Sequence, residues 1–112
     1  MIAKKEFTHL LVVEVVKIEL EGIIPPHVTP FTKDEEIDEA ALRRLVHFWL
    51  DNDSSGLMSC GSNGEAPYMT REERRRVIEI VVEEMNGKVP VLAGTGAPST
   101  RETIHLTQDA KD

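Results

Sequence analysis

A stretch near the middle of the chain, Gly56–Glu65, combines residue types that could bind an anionic ligand. Its sequence, GLMSCGSNGE, is typical of a short buried strand that runs directly into a turn containing Gly61 and Gly64. Such a turn leaves backbone N–H groups free to bind an anion, and Ser62 adds a hydroxyl. In α/β proteins, ligands bind at the carboxyl ends of the strands. The stretch therefore predicts a small-molecule site at the end of a strand.

The bulk properties of the chain narrow the classes of function. Its 112 residues are enough for one ordinary domain, and 40% of them are hydrophobic, which can support a core. The net charge of -7 argues against a nucleic-acid partner, because phosphate binding needs a basic face. We expect no membrane partner, because no apolar run approaches the ~20 residues that span a bilayer. The single cysteine, Cys60, excludes an internal disulfide and is expected to be a small buried thiol.

The start of the chain is expected to stand apart from the domain. Met1–Lys5 is basic and Leu10–Val16 is mostly apolar, which weakly mimics a secretion signal. Glu14 interrupts the apolar run and no small-x-small cleavage site follows, so the sequence predicts a cytoplasmic protein. Residues 10–20 are rich in Val and Ile, which favours an extended strand. We assign 1–17 to an N-terminal extension and 18–112 to the domain.

From residue 22 onward, strand-like and helix-like segments alternate. Three apolar segments are predicted strands, of which the first contains prolines and should pair only in part: Gly22–Phe31, Leu57–Cys60 and Val89–Ala93. Each is followed by a residue that can cap a helix, and these residues are Asp38, Thr70 and Ser99. Thr70 and Ser99 open capping boxes, because a glutamate follows three residues later in both cases.

Apolar residues at 3.6-residue spacing predict the helix faces that pack against the sheet. On the first helix these residues are Leu42, Leu45, Val46, Trp49 and Leu50. On the second they are Val77, Ile78, Val81, Val82 and Met85, and Asn86-Gly87 ends this helix by supplying a left-handed residue. The charged run from Glu72 to Arg76 is expected to be a solvated face with a Glu72–Arg76 ion pair.

The order β-α-β-α-β-α predicts an α/β protein with a parallel sheet flanked by helices. Both a doubly wound open sheet and part of a (β/α)8 barrel satisfy this order. Neither glycine turn completes a dinucleotide fingerprint, and no Gly-Lys-Ser/Thr phosphate loop is present, so nucleotide binding is not favoured. The four histidines lie on different elements and none stands at ligand spacing from Cys60, so we predict no metal site.

Four segments, in this order, resemble one family of enzymes. They are Gly22–Phe31, then Ile37–Asp38 with Leu42–Val46, then Gly61–Glu65, then Val91–Gly96 with Ser99–Thr100. The chain is similar over residues 18–112 to the dihydrodipicolinate synthase / N-acetylneuraminate lyase family of pyruvate-dependent class I aldolases. The resemblance implies a TIM-type (β/α)8 barrel, of which this chain would supply the first three βα units after a short N-terminal extension. It also implies lyase chemistry, in which a lysine amine forms a Schiff base with pyruvate or another 2-oxo acid, without a cofactor.

The resemblance also implies roles for residues of the turn. Gly61, Ser62 and Asn63 would bind the substrate carboxylate through backbone N–H groups, and the Ser62 hydroxyl would serve catalysis in a proton relay. Asn63 replaces the commoner threonine, so its side chain could recognise a different second substrate. Thr29 would bind substrate at the rim, together with the Gly94–Gly96 turn. The Glu65 side chain is expected to accept hydrogen bonds that fix the turn.

In the family, the Schiff-base lysine and the proton-shuttling tyrosine lie downstream of the first three βα units, in a barrel of about 250 residues. None of the lysines of this chain matches that position: Lys4, Lys5, Lys17, Lys33, Lys88 and Lys111. We therefore expect the chain alone to be inactive, and we expect a truncated reading frame or a fragment of a homo-oligomeric protein. Residues 1–15 have no family counterpart, which suggests a natural start near Val15 or Val16.

Three hypotheses for function follow from these patterns. The first is a lyase-family protein with the activity of 4-hydroxy-tetrahydrodipicolinate synthase, a step of lysine biosynthesis, or of an aldolase for hydroxy-oxoglutarate or keto-deoxy sugar acids. The second is a non-catalytic remnant that binds a carboxylate weakly or pairs with another subunit. The third is an unrelated doubly wound domain that binds a phosphorylated ligand through its two glycine turns.

Overall fold

A computed structural model describes residues 6–7, 10–11 and 17–112 of the chain. Its regular elements are β1 (Glu6–Phe7), β2 (Leu10–Leu11), α1 (Glu39–Asp51), β3 (Leu57–Ser59), α2 (Arg71–Met85), β4 (Val91–Ala93) and α3 (Thr100–Lys111). β1 and β2 form a short antiparallel pair. The strand predicted over residues 10–20 is confirmed at Leu10–Leu11 and wrong over 17–20, whereas residues 12–16 and the basic Met1–Lys5 lie outside the described residues.

The parallel sheet is built on β3. β4 lies along one side of it, with Leu57 opposite Val91 and Ser59 opposite Ala93. The predicted first strand lies along the other side, where the Met58 N–H donates to the Pro25 carbonyl and the His27 N–H donates to the Met58 carbonyl. Only one ladder position forms there, because proline has no N–H to donate. The partial pairing predicted for this segment is therefore confirmed.

The two predicted strand boundaries next to the glycine turns need correction. β3 ends at Ser59 rather than Cys60, because Cys60 adopts a left-handed backbone with φ of 58°. β4 begins at Val91 rather than Val89. The Lys88 N–H is still bonded to the Met85 carbonyl at the end of α2, and Pro90 has no N–H to pair.

The helices bury most of the predicted residues in one core. Leu42 and Val46 of α1 are fully buried, and Trp49 and Leu50 pack against the core from its edge. On α2 the prediction is partly wrong, because Val82 is 51% exposed whereas Ile80 is fully buried. The buried stripe of this helix is centred near Val77 and Val81, and Val82 lies about 140° around the helix from Val77 at roughly 100° per residue.

Ion pairs link neighbouring helices on the surface. Arg76 of α2 binds Glu39 of α1 at 2.7 Å, and Arg71 of α2 binds Asp109 of α3. The predicted Glu72–Arg76 pair is wrong, because Arg76 turns toward Glu39 and Glu79 instead. Exposed pairs of this kind contribute little stability each. Within residues 17–112, no helix has the length and apolarity needed to cross a bilayer.

The two predicted capping boxes differ in completeness. At α2, the Glu73 N–H donates to Thr70 Oγ1 at 3.1 Å and the Thr70 N–H donates to the Glu73 carboxylate at 2.7 Å. At α3, the Glu102 N–H donates to Ser99 Oγ, whereas the Glu102 carboxylate lies 3.8 Å from His105 Nδ1. Only the first prediction is confirmed in full.

We expect Thr70→Ala to lower the free energy of unfolding by about 1 kcal/mol, because it removes the hydroxyl of a reciprocal cap. Ser99→Ala is the matched control and should cost less, because its cap has a single hydrogen bond. Urea unfolding followed by helical circular dichroism measures both changes. Equal losses, or no loss at Thr70, would contradict this account of the caps.

Candidate functional site

The predicted ligand-binding turn lies at the carboxyl end of β3, where it forms a short 3-10 helix over Ser62–Gly64. The Gly64 N–H donates to the Gly61 carbonyl and the Glu65 N–H donates to the Ser62 carbonyl, at 3.1 and 3.0 Å. Within the described part of the chain, the N–H groups of Ser62 and Asn63 make no hydrogen bond, and both residues are exposed. These are the free donors that the start of any helical turn leaves unsatisfied. The turn can therefore present two neighbouring N–H groups to an anion.

A left-handed bend connects β3 to this turn. Cys60 holds the bend with φ of 58°, and the Gly94 N–H donates to the Ser59 carbonyl at 2.7 Å. A Cβ at Gly94 would overlap the Cys60 carbonyl, so only glycine allows the end of β4 to lie against the bend. The loops that follow β3 and β4, each with a glycine turn, are thus in direct contact.

His27 is a functional candidate that the sequence analysis missed. Its side chain is 1% exposed, Nε2 lies 2.7 Å from Ser59 Oγ, and Nδ1 lies 2.8 Å from the Val28 carbonyl. A carbonyl can only accept, so Nδ1 carries a proton. Burial lowers the pKa of His27, against a smaller opposing effect of the Val28 hydrogen bond, so the ring is neutral at pH 7. Nε2 therefore accepts the Ser59 hydroxyl proton.

The sequence signal that could have found the position of His27 is its spacing, two residues before the predicted rim residue Thr29. Along an extended segment, alternate residues point to the same side, and His27 and Thr29 are both buried. The predicted rim residue Thr29 is 7% exposed, and its hydroxyl has no hydrogen-bond partner among the described residues. It lies beside the turn, since a Cβ at Gly64 would be 3.3 Å from Thr29 Oγ1. Its contact with substrate stays a prediction.

Glu65 contributes through its backbone rather than its side chain. It adopts a left-handed conformation with φ of 61°, and its N–H closes the turn onto the Ser62 carbonyl. The hydrogen bonds expected at its carboxylate are not formed within the described residues, and the residue is exposed. The prediction that Glu65 fixes the turn therefore holds only for its main chain.

The described residues offer no amine nucleophile near the turn. Lys17, Lys33, Lys88 and Lys111 are all exposed, whereas Lys4 and Lys5 lie outside the described residues. No group of three or more metal-ligating side chains occurs in the part of the chain that the structure describes. A groove of about 500 Å³ lies between residues 17–20 and 87–92, near the amino end of β4 and away from the turn.

Comparison with known proteins identifies the family to which this chain belongs. The model of the Dihydrodipicolinate synthetase family matches residues 19–112. The chain belongs to this family. The 4-hydroxy-tetrahydrodipicolinate synthase of Methanothermobacter thermautotrophicus is 42% identical over 95 residues, which are 85% of this chain and 34% of that protein.

Solved structures of the family share the fold. Dihydrodipicolinate synthase from Acinetobacter baumannii, crystallised with pyruvate, has a TM-score of 0.82 at 38% identity, over 84% of this chain and 32% of that one. N-acetylneuraminate lyase from Mycoplasma synoviae has a TM-score of 0.74 at 33% identity, over 80% of this chain and 32% of that one. The described α/β fold is therefore part of a TIM barrel, which confirms the predicted fold class and excludes the doubly wound alternative. The chain spans about a third of the length of the curated relatives it matches.

Cys60 is buried, as predicted, and its burial raises the pKa of the thiol to about 11. The thiol of the unfolded chain has a pKa of about 8.5. Because the folded thiol holds its proton more tightly, it contributes stability, and this stability is lost as pH rises from about 8.5 toward 11. We expect slow alkylation of the folded chain at a pH of about 7.5, because the thiol keeps its proton there. We also expect the urea midpoint of unfolding to fall as pH rises from about 8.5 toward 11.

Cys60→Ala is the control, because it should show a smaller fall over the same pH range. Parallel pH profiles for the two chains, or alkylation at the rate of free cysteine, would contradict the effect of burial on this thiol.

Proposed function

We propose that residues 18–112 form the carboxylate-binding part of a pyruvate-handling class I aldolase with the activity of 4-hydroxy-tetrahydrodipicolinate synthase. The observation that carries this proposal is the pair of free N–H groups of Ser62 and Asn63 at the carboxyl end of β3. The identity to synthases of that name supports the activity, and the pyruvate complex of the Acinetobacter baumannii enzyme supports the ligand.

The chemistry of the turn suits a 2-oxo acid. A carboxylate accepts hydrogen bonds in its plane, and two successive backbone N–H groups can bind its oxygens without the entropy cost of ordering side chains. Both donors belong to the N-terminal end of the 3-10 turn. The Ser62 hydroxyl would then lie near the ketone of the bound acid, where it could pass a proton.

The described residues do not supply the covalent step. An amine must be unprotonated to attack a ketone, and this requires burial or a nearby cation to lower its pKa. The four described lysines are exposed rather than buried, and none belongs to the turn. We therefore propose that the 112 residues bind the acid weakly and do not form the Schiff base, and that catalysis and homo-oligomer formation belong to the whole barrel.

A second candidate function is favoured by Asn63. Its amide side chain is exposed at the turn, where it can donate and accept hydrogen bonds. A threonine hydroxyl can also do both, but at a different distance from the backbone. This chemistry suits an aldolase for hydroxylated 2-oxo acids, and the similarity to a neuraminate lyase is consistent with such a substrate. In both functions the carboxylate is bound by the same backbone groups.

We expect pyruvate to shift the amide resonances of Ser62 and Asn63 in ¹⁵N NMR spectra of the chain, with a dissociation constant on the order of millimolar, as for a few hydrogen bonds at an open surface. Ser62→Ala should bind equally well, because it keeps both N–H groups. Pyruvamide, which has no carboxylate, should cause no shift. Shifts that are spread over the surface, or equal for the two ligands, would contradict a carboxylate site.

We also expect borohydride reduction in the presence of pyruvate to add no mass to the chain. Tryptic mass spectrometry measures this, with a pyruvate-dependent class I aldolase of known activity as the positive control. A stoichiometric adduct on any lysine of this chain would show that the covalent step is present and would overturn this part of the proposal.

A further inference from the structure

His27 contacts both ends of the turn that contains the proposed carboxylate site. At the leading end, its Nε2 accepts a hydrogen bond from the buried hydroxyl of Ser59, the last residue of β3. At the trailing end, its carbonyl oxygen would be 3.1 Å from a Cβ at Gly64, so the two backbones are in close approach. One residue therefore limits the movement of the turn from two sides.

The backbone of His27 is itself fixed. Its N–H donates to the Met58 carbonyl at 3.1 Å, within the partial strand pairing, and its ring lies 5.3 Å from that of Trp49 on α1. The second ring nitrogen is bonded to the Val28 carbonyl. Both ring nitrogens are therefore satisfied, and the orientation of the imidazole toward Ser59 is determined by its surroundings.

Ser59 is held from both sides. Its hydroxyl donates to His27, and its carbonyl accepts the Gly94 N–H at 2.7 Å. The next residue, Cys60, makes the left-handed bend that leads into Gly61 and Ser62. Because a non-glycine residue in this conformation is strained, the bend persists only when neighbouring groups fix it.

We propose that His27 is a positioning residue, which holds the Ser59–Gly64 turn in the shape that directs the Ser62 and Asn63 N–H groups to a single carboxylate. The consequence for binding rests on the function proposed above, whereas the consequence for the turn does not. An apolar side chain of similar size would fill the same space in the core but would leave the Ser59 hydroxyl buried without an acceptor. The turn would then be free to reorganise.

The test compares three single variants of the chain and one double variant. His27→Phe keeps an aromatic ring beside Trp49 and removes both ring hydrogen bonds. Ser59→Ala removes one oxygen and breaks the same His27–Ser59 bond. Ile80→Val is the matched control, because it removes a methyl group from a fully buried side chain and affects only general packing.

Hydrogen exchange in the absence of ligand provides the first measurement. The Gly64 and Glu65 amides are hydrogen-bonded within the turn. Relative to the amides of α2, we expect their exchange to become about tenfold faster in His27→Phe and in Ser59→Ala, and to be unchanged in Ile80→Val. The double variant should be no faster than His27→Phe alone, because the His27–Ser59 hydrogen bond is already absent from that variant.

Pyruvate titration provides the second measurement. We expect the dissociation constant at the Ser62 and Asn63 amides to rise about tenfold in the two variants of the pair and to be unchanged in Ile80→Val. If His27→Phe does not fold, Ser59→Ala alone decides the result.

Folded variants with the turn exchange and pyruvate affinity of the original chain would overturn the positioning role. If the original chain does not bind pyruvate at these amides, the proposed function is wrong, and the exchange rates of the turn still decide whether His27 positions it.

Discussion

The candidate site depends on the left-handed bend at Cys60. Without it, β3 would continue in an extended direction and the Ser62 and Asn63 N–H groups would point alternately to opposite edges of the strand. The bend is fixed by contacts from both neighbours of β3: the ring of His27 on one side and the backbone of Gly94 on the other. Three chain segments distant in sequence thus meet at one bend, and the turn that follows takes its direction from them.

The packing of the helices supports this arrangement from behind. Arg74 of α2 donates to the carbonyls of Ala66 and Gly96, one in each of the loops that follow β3 and β4. The same helix places Val77 and Val81 in the core beneath the sheet. The loops therefore have a rigid base, which is the usual way in which a barrel gives precise geometry to its connections.

Most of the fold could be predicted from the sequence, because its local signals agree with one another. Asp38, Thr70 and Ser99 cap the three helices as expected, and each hydrogen bond is made by the predicted side chain. The errors have physical causes. Proline removes N–H groups at Pro90, which delays the start of β4, and the orientation of α2 depends on which side of the helix the sheet occupies, which periodicity alone does not determine.

The candidate site was predictable in part. The free N–H groups follow from the glycine spacing in Gly61–Gly64, whereas the His27–Ser59 hydrogen bond joins residues 32 positions apart and leaves no local pattern. The left-handed Cys60 was also unexpected, because cysteine has no intrinsic preference for that conformation and adopts it under the constraint of Gly94.

A crystal structure of this chain grown with pyruvate tests the central claim most directly. It should show the carboxylate oxygens about 3 Å from the backbone nitrogens of Ser62 and Asn63, with Cys60 still left-handed. Pyruvate bound elsewhere, or a Ser59–Gly64 turn in which these two N–H groups point apart, would contradict the account.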